Sequence, residues 1–398
     1  IDQAWNVTKL QQEMKLIGVD PRGIELMTDK FRHFVVKLSG LSFRQAAIIK
    51  QEMLARGADA AVSWKVCSWD QSKQEEEFTV LLGGTWRQLE QFCDKLALQP
   101  FRLAELGQKF REALYNYINN QASLNLQGKV YDLSARSLVM GIINLTPDSF
   151  SQDGLSENSH PVEAALKQAR QMIADGADIL DIGAESTRPG STIVPAEAEL
   201  SRLLPVLREL VPAVSVPISV DTYKPEVAAA CLELGVKIIN DIWGLRCPDD
   251  PERRMAKVIA NSDATVVIMH NRLESGSGNI VLEVINWLSE AMELAVKHGI
   301  SPERIILDPG IGFGKTHQEN LQLLQNLDQL KVLGRPILLG TSRKSVIGKA
   351  LDLPVAERLE GTIATNIWGM IKGAQILRVH DVKAISRAIK MVDVIKHC

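Results

Sequence analysis

Ten polar side chains in the C-terminal two thirds of this 398-residue chain stand where short apolar runs end: Asn144, Asp181, Asp221, Asn240, Asp241, His270, Asp308, Lys344, Arg378 and His380. Carboxylates accept paired N–H groups, amides both donate and accept, and arginine, lysine and protonated histidine hold anions through charge-assisted hydrogen bonds. A single polar residue at a strand end is often only a cap. So many at the ends of successive runs point to a site. Arg378 and His380 lie two residues apart on one run, so both point the same way, which favours a shared role over that of a lone core histidine. Asp181 and Asp241, each beside glycine or isoleucine, read instead as local acceptors in tight turns.

The runs that end in these residues define the scaffold. Eight β-rich segments, 137–145, 177–183, 216–221, 236–241, 264–270, 304–310, 336–342 and 375–380, alternate with helical patterns. Continuously apolar strands separated by helices suit a parallel sheet covered on both faces. The intervening segments open on a proline or a charge, and several end at glycine, which are helix start and stop signals. Eight strand-helix units ending in the helix VKAISRAIKMVDVIKH match a closed (β/α)8 TIM barrel, in which reacting groups collect at the C-terminal ends of the strands.

The first 122 residues read differently. Phe34-Val-Val-Lys-Leu-Ser-Gly followed by Ser42-Phe-Arg-Gln resembles Phe78-Thr-Val-Leu-Leu-Gly-Gly followed by Thr85-Trp-Arg-Gln, an internal repeat of strand, N-cap and helix. A further strand over 60–67 and a helix over 103–118 would complete a small α+β domain spanning 1–122, with the barrel over 129–398. Two domains also suit the length, because one core seldom serves more than about 300 residues.

Composition narrows the partners. The apolar fraction is 45% and the charged fraction 23%, those of a globular protein. A net charge of -3 offers no basic field for nucleic acid, so any anion must be held locally. Five cysteines, Cys67, Cys93, Cys231, Cys247 and Cys398, lack CxxC spacing and fit a reducing cytoplasm. The opening residues Ile-Asp-Gln-Ala-Trp contain no apolar signal core, and no run approaches the length of a membrane span. The chain begins at Ile1 without an initiator methionine, so its natural start is expected to lie elsewhere.

Seven motifs carry a family resemblance. Asn144-Leu-Thr-Pro-Asp-Ser-Phe-Ser, Glu185-Ser-Thr-Arg-Pro-Gly, Ser219-Val-Asp-Thr, Ile239-Asn-Asp, Asp308-Pro-Gly-Ile-Gly-Phe-Gly-Lys, Ser342-Arg-Lys-Ser and Arg378-Val-His-Asp resemble, in order, the motifs of the dihydropteroate synthases. The resemblance covers about residues 129–398 and stops short of the N-terminal domain. It implies that Asp221, Asn240, Asp308, Phe313 and Lys344 hold a pterin, and that Asn144, Arg378 and His380 hold a diphosphate, with Asn144 also a ligand of Mg2+. It implies that Phe150, Thr187, Arg188, Pro189 and Ser345 form the p-aminobenzoate site, under two loops after the first and second barrel strands. The catalytic set it implies is Asp153, Arg188 and Lys344. The first loop departs from the family: it reads Ser149-Phe-Ser-Gln-Asp-Gly154, which displaces the acid by one position and leaves the part of Asp153 open.

The implied activity is displacement of diphosphate from the pterin methylene by the amine of p-aminobenzoate, in a cytoplasmic homodimer paired through its barrel helices. Two other readings compete. A methyltetrahydrofolate methyltransferase shares a barrel and pterin pocket but has no diphosphate for Arg188, Arg378 and His380 to bind. A catalytically silent pterin sensor would use the N-terminal domain as effector, which leaves Lys344, Arg378 and both loop motifs without a purpose. Because none of the motifs lies before residue 129, a chain beginning near Gln127 is expected to fold and to work.

Overall fold

The computed structural model describes residues 7–67, 76–119, 123–126, 128–145, 161–185, 193–272 and 278–396. The chain forms two compact units, Ile1–Tyr115 and Asn116–Cys398.

The first unit is built on the repeat. Strand β1 (His33–Leu41) leads through Ser42 into a helix, Phe43–Leu54, and strand β3 (Phe78–Thr85) leads through Thr85 into another, Trp86–Leu96. Both helices start with the same capping box, Ser42 with Gln45 and Thr85 with Gln88, which satisfies N–H groups the first turn would leave orphaned. β1 and β3 pair antiparallel from His33↔Thr85, and β2 (Asp59–Ala61) flanks β3 on its other side. Helix Leu103–Ile118 adds Leu103, Phe110 and Leu114 to a core centred on Ile49, Leu82, Leu89 and Phe92. The expected strand over 60–67 is shorter than its apolar pattern suggested. The extended backbone stops at Ala61, and Trp64–Cys67 turn into a short helix behind Ser63, whose hydroxyl accepts the Lys65 N–H.

In the second unit eight parallel strands close into a barrel: β6 (Leu138–Asn144), β7 (Ile179–Gly183), β8 (Ile218–Asp221), β9 (Ile238–Asp241), β10 (Thr265–Met269), β11 (Ile305–Asp308), β12 (Leu338–Leu339) and β13 (Ile376–Val379). They run in sequence order around the ring, with β13 between β12 and β6, and the parallel bridge Leu307↔Ile337 joins β11 to β12. Each lies inside one of the eight apolar runs. Helices between the strands form the outer layer, and their buried faces pack on the outward residues of the strands.

Inward residues fill the lower barrel with a separate apolar cluster: Leu138, Met140, Ile179, Ile238, Val267, Ile306, Leu338 and Ile376. An antiparallel hairpin of β4 (Ser123–Leu126) and β5 (Lys129–Asp132) supplies Leu124, Leu126 and Tyr131 to this cluster. Leu124 is 0% and Leu126 4% exposed. The N-terminal end of the barrel is thus filled with hydrocarbon, and polar chemistry is confined to the other end.

The hairpin decides where a shortened chain can begin. A chain started at Gln127 lacks Leu124 and Leu126, and at about 2–5 kcal/mol for each buried leucine lost it should be less stable than one started at Asn116 by at least about 4 kcal/mol. Urea unfolding of the two chains side by side measures the difference; equal midpoints and slopes would remove β4 from the barrel core.

Candidate active site

Strand register assembles the site. Pairing places Asn144 opposite Gly183, Gly183 opposite Asp221, and Asp221 opposite Asn240, so three polar residues and one glycine form a single row across four strands at the upper rim. Asp181 sits two residues below Gly183 on the same strand and faces the same way. Gly183 lies between the two polar neighbours: a Cβ there would be in ordinary contact with both, 3.6 Å from Asp221 Cβ and 3.8 Å from Asn144 Oδ1.

Arg378 crosses the mouth to this row from β13. Its Nε donates to Asp181 Oδ2 at 2.6 Å and its Nη2 to Asp221 Oδ2 at 2.7 Å. Asn240 Nδ2 donates to the same Asp181 oxygen at 3.3 Å. The remaining oxygen of each aspartate is buried and accepts no hydrogen bond from a described residue. Burial raises the Asp221 carboxyl to about 7, against the opposing field of Arg378. Burial also works against the charge on Arg378, but Asp181 and Asp221 outweigh it and hold the guanidinium more firmly protonated than in water. Neither aspartate takes Nη1, which leaves an edge of the guanidinium for an anion.

Asp181 was read from the sequence as a turn acceptor together with Asp241. The structure keeps only Asp241 in that role, with its carboxylate taking the N–H groups of Trp243 (2.8 Å) and Leu245 (2.7 Å). Asp181 belongs to the site because Arg378, 197 residues away, reaches it across the barrel. A local glycine could not reveal that; the signal was the inward position that Asp181 shares with Gly183.

The opposite wall comes from β11 and the turn that follows β12. Asp308 is buried at the end of β11, and its Oδ1 accepts the Gly310 N–H at 2.7 Å. Burial raises its carboxyl above the usual range, while Lys344 and the Gly310 N–H pull the other way. Lys344 stands before the helix Ser345–Leu351, with Nζ 2.6 Å from the Ile311 carbonyl and 4.8 Å from the Phe313 ring centroid. Burial lowers its ammonium to about 8, opposed chiefly by Asp308. Lys344 and Arg378 flank Gly340: a Cβ there would be in ordinary contact with both, 3.7 Å from Lys344 Nζ and 3.9 Å from Arg378 Cβ.

His380, two residues beyond Arg378, has Nδ1 3.0 Å from Ser342 Oγ, and its backbone N–H donates to the same oxygen at 3.2 Å. Ser345 is exposed at the start of its helix. His270 leaves the group: its ring is fully buried and meets Trp287 edge to face at 5.1 Å, and burial drives its imidazole down to about 3. Phe150, Asp153, Thr187, Arg188 and Pro189 lie outside the described residues.

Residues 140–380 match the family model described as "Pterin binding enzyme". Over 273 residues the chain is 46% identical to the dihydropteroate synthase of Clostridium beijerinckii, an alignment covering 68% of this chain and 99% of that protein. The chain belongs to the dihydropteroate synthase family. The structure of the Xanthomonas albilineans dihydropteroate synthase with 4-aminobenzoic acid superposes with a TM-score of 0.65 at 40% identity, covering 70% of this chain and 99% of that one. A longer relative reaches past the barrel. The "Probable bifunctional folylpolyglutamate synthase/dihydropteroate synthase" of Halobacterium salinarum is 38% identical over 382 residues, 94% of this chain and 44% of that protein. The N-terminal unit therefore recurs ahead of a synthase barrel in another chain.

The magnesium ion that the motif resemblance implies would have to fit the donors at this mouth. No group of three or more His, Cys, Asp or Glu poised for a metal occurs among the described residues. The amide oxygen of Asn144 borders the space over Gly183 together with Asp221 Oδ2, and the Oδ1 atoms of Asp181 and Asp221 are buried without a hydrogen-bond partner among the described residues. One hard amide oxygen, with substrate phosphates and water for the rest, is the environment in which magnesium binds without a protein cage. The residues fit the ion.

Removing the guanidinium should expose the charge imbalance. Arg378→Met leaves Asp181 and Asp221 buried without their cation and should cost about 3 kcal/mol or more by urea unfolding near pH 8. Loss of the cation leaves burial unopposed at Asp221 and raises its folded-state pKa further. The stability of a carboxyl raised in this way is present at low pH and lost as pH rises through its folded value, so the deficit should shrink near pH 5. A deficit independent of pH would mean that the pair does not carry buried charge.

Proposed function

We propose that the chain condenses 6-hydroxymethyl-7,8-dihydropterin diphosphate with p-aminobenzoate, giving 7,8-dihydropteroate and diphosphate in folate biosynthesis. It is a transferase. The observation that carries the reading is the convergence of Asp221, Asn240, Asp308, Lys344 and Arg378 on one barrel mouth, two carboxylates and an amide for a heterocycle beside two cations.

In this reading Asp308 accepts the paired N–H groups of the pterin's amino-pyrimidinone edge. Asn240 and Asp221 complete the edge contacts, Lys344 donates to ring oxygen or nitrogen, and the ring lies by Phe313. Arg378 and His380 hold the diphosphate with Asn144. Magnesium held at Asn144 would neutralise charge on the diphosphate as it departs. The methylene carbon shares positive charge with the conjugated ring, and the neighbouring carboxylates stabilise that charge while Arg378 and His380 stabilise the leaving group. No side-chain nucleophile is required, because the neutral aniline of p-aminobenzoate attacks directly. Phe150, Thr187, Arg188, Pro189 and Ser345 would hold that substrate, and Asp153 would order its loop or accept the released proton.

The same reading makes the protein a cytoplasmic homodimer paired through its barrel helices. No helix among the described residues is long and apolar enough to cross a membrane, and the four described cysteines are free. Trp368 and Ile371 on helix Leu359–Ile371, with Met391, Val394 and Ile395 on helix Val382–Lys396, are 46–62% exposed and support an interface there. The N-terminal unit serves association or regulation rather than chemistry.

Diphosphate release with and without p-aminobenzoate tests the activity: release should depend on the amine, and amine-independent release or none would sink the reading. A chain begun at Asn116 should release diphosphate within about tenfold of the full-length rate, a barrier change under roughly 1.4 kcal/mol; a folded but inactive barrel would put part of the active site in the N-terminal unit. By calorimetry, Asp308→Asn should lose about 2–4 kcal/mol of pterin affinity, and unchanged affinity would sink its assignment. Sulfonamides, which mimic the aromatic amine and acid, should compete with p-aminobenzoate, and inhibition that the amine cannot reverse would refute that siting. The pH profile of kcat/KM for the pterin substrate follows from the free protein. Ionised Asp221 increases as pH rises through about 7 and protonated Lys344 declines through about 8, so the profile should peak between them. Asp221→Asn should remove the acid limb, and an acid limb that survives the substitution would assign it to another group.

A further inference from the structure

Lys315 closes the motif Asp308-Pro-Gly-Ile-Gly-Phe-Gly-Lys and takes no part in the reaction described above. Its side chain turns back beneath its own loop. Nζ donates to the carbonyls of Gly310 (2.8 Å) and Phe313 (3.1 Å), and to that of His270 (3.3 Å) beyond the end of the neighbouring strand β10. Two loops meet closely at this point. Gly310 has φ +68°, and a Cβ on it would lie 2.0 Å from the His270 oxygen that Lys315 also contacts.

The outer side of the same turn carries what surrounds Lys344 and Asp308. The two peptide groups that flank the Gly310 Cα are each held, the N–H by Asp308 Oδ1 and the carbonyl by Lys315. The Ile311 carbonyl receives Lys344, and the Phe313 ring lies beneath the Lys344 ammonium. Other ties hold the turn without Lys315: Gly312 N–H to Asn320 Oδ1 at 2.6 Å, Arg272 Nε to the Gly314 carbonyl at 2.7 Å, and the capping box of Thr316 with Glu319. Removing Lys315 therefore disturbs the orientation of the turn more than its existence. Burial pulls the Lys315 ammonium down to about 7, with Asp308 the main opposing charge, which places it electrostatically within the Asp308 site.

We propose that Lys315 is a positioning residue for the pterin end of the site: by holding the Gly310, Phe313 and His270 carbonyls it fixes the faces that Asp308, Phe313 and Lys344 present to the heterocycle. The proposal rests on the reading that a pterin binds between Asp308 and Lys344.

Full-length Lys315→Met and Lys315→Gln test it beside the wild type. Affinity for 6-hydroxymethyl-7,8-dihydropterin diphosphate is measured by calorimetry without p-aminobenzoate, and the KM for p-aminobenzoate is measured with saturating pterin substrate. Lys315→Met should bind the pterin at least tenfold more weakly, Lys315→Gln, which keeps N–H donors without the charge, should fall between, and the KM for p-aminobenzoate should stay within twofold. A folded Lys315→Met protein that binds the pterin within twofold of wild type would overturn the proposal, as would equal losses for both substrates, which would show general loosening. If Lys315→Met does not fold by circular dichroism, Lys315→Gln decides by the same two outcomes. Failure of the wild type itself to bind the pterin would overturn the reading of the mouth, and is distinguishable because it requires no variant.

Discussion

The guanidinium of Arg378, shared between Asp181 and Asp221, sets the terms for the rest of the barrel mouth. Three buried aspartates gather there, Asp181, Asp221 and Asp308, against the two cations Arg378 and Lys344. Unpaired charge at this depth is costly, so the acids are tolerable only with a cation fixed beside them. The cation in turn comes from β13, and it can reach β7 and β8 only because the sheet closes and brings β13 against β6. Closure, ion pairing and a polar pocket are thus one constraint.

The same arrangement separates stability from chemistry along the barrel axis. The lower layers and the hairpin below them are hydrocarbon and make no demand on charge. The upper rim holds residues that bring polar groups out of water, and their titration is displaced accordingly: Asp221 and Asp308 upward, Lys344 downward. Each shift has burial as its largest cause, and in each the neighbours of opposite charge limit it.

What could be read from the sequence follows this division. Strand ends were legible because a buried parallel strand must be apolar along its length and a polar residue marks where it stops; Asn144, Asp221, Asn240, Asp308, Arg378 and His380 were all found that way. The repeat in the first unit was legible because a capping box has a short, local signature at Ser42 and Thr85. Contacts made across the ring were not legible. Asp181 looked like a turn residue because its partner lies on the far side of the barrel, and His270 looked like part of the mouth because periodicity cannot tell that its ring packs on Trp287. Residues 64–67 form a helical turn despite their apolar pattern, since a run so short is decided by Ser63 and by packing.

The seam of the ring has a mechanical meaning. Seven of the eight strand junctions are ladders, but β11 and β12 meet through the single bridge Leu307↔Ile337, and β12 itself is only Leu338–Leu339. The junction with the fewest hydrogen bonds is where local opening costs least. Asp308 stands at the end of one side of that seam, and Lys344 follows the other. A heterocycle gripped by both would span the weak junction like a rivet, so that occupying the site and stiffening the barrel would be the same event, each strengthening the other by mass action.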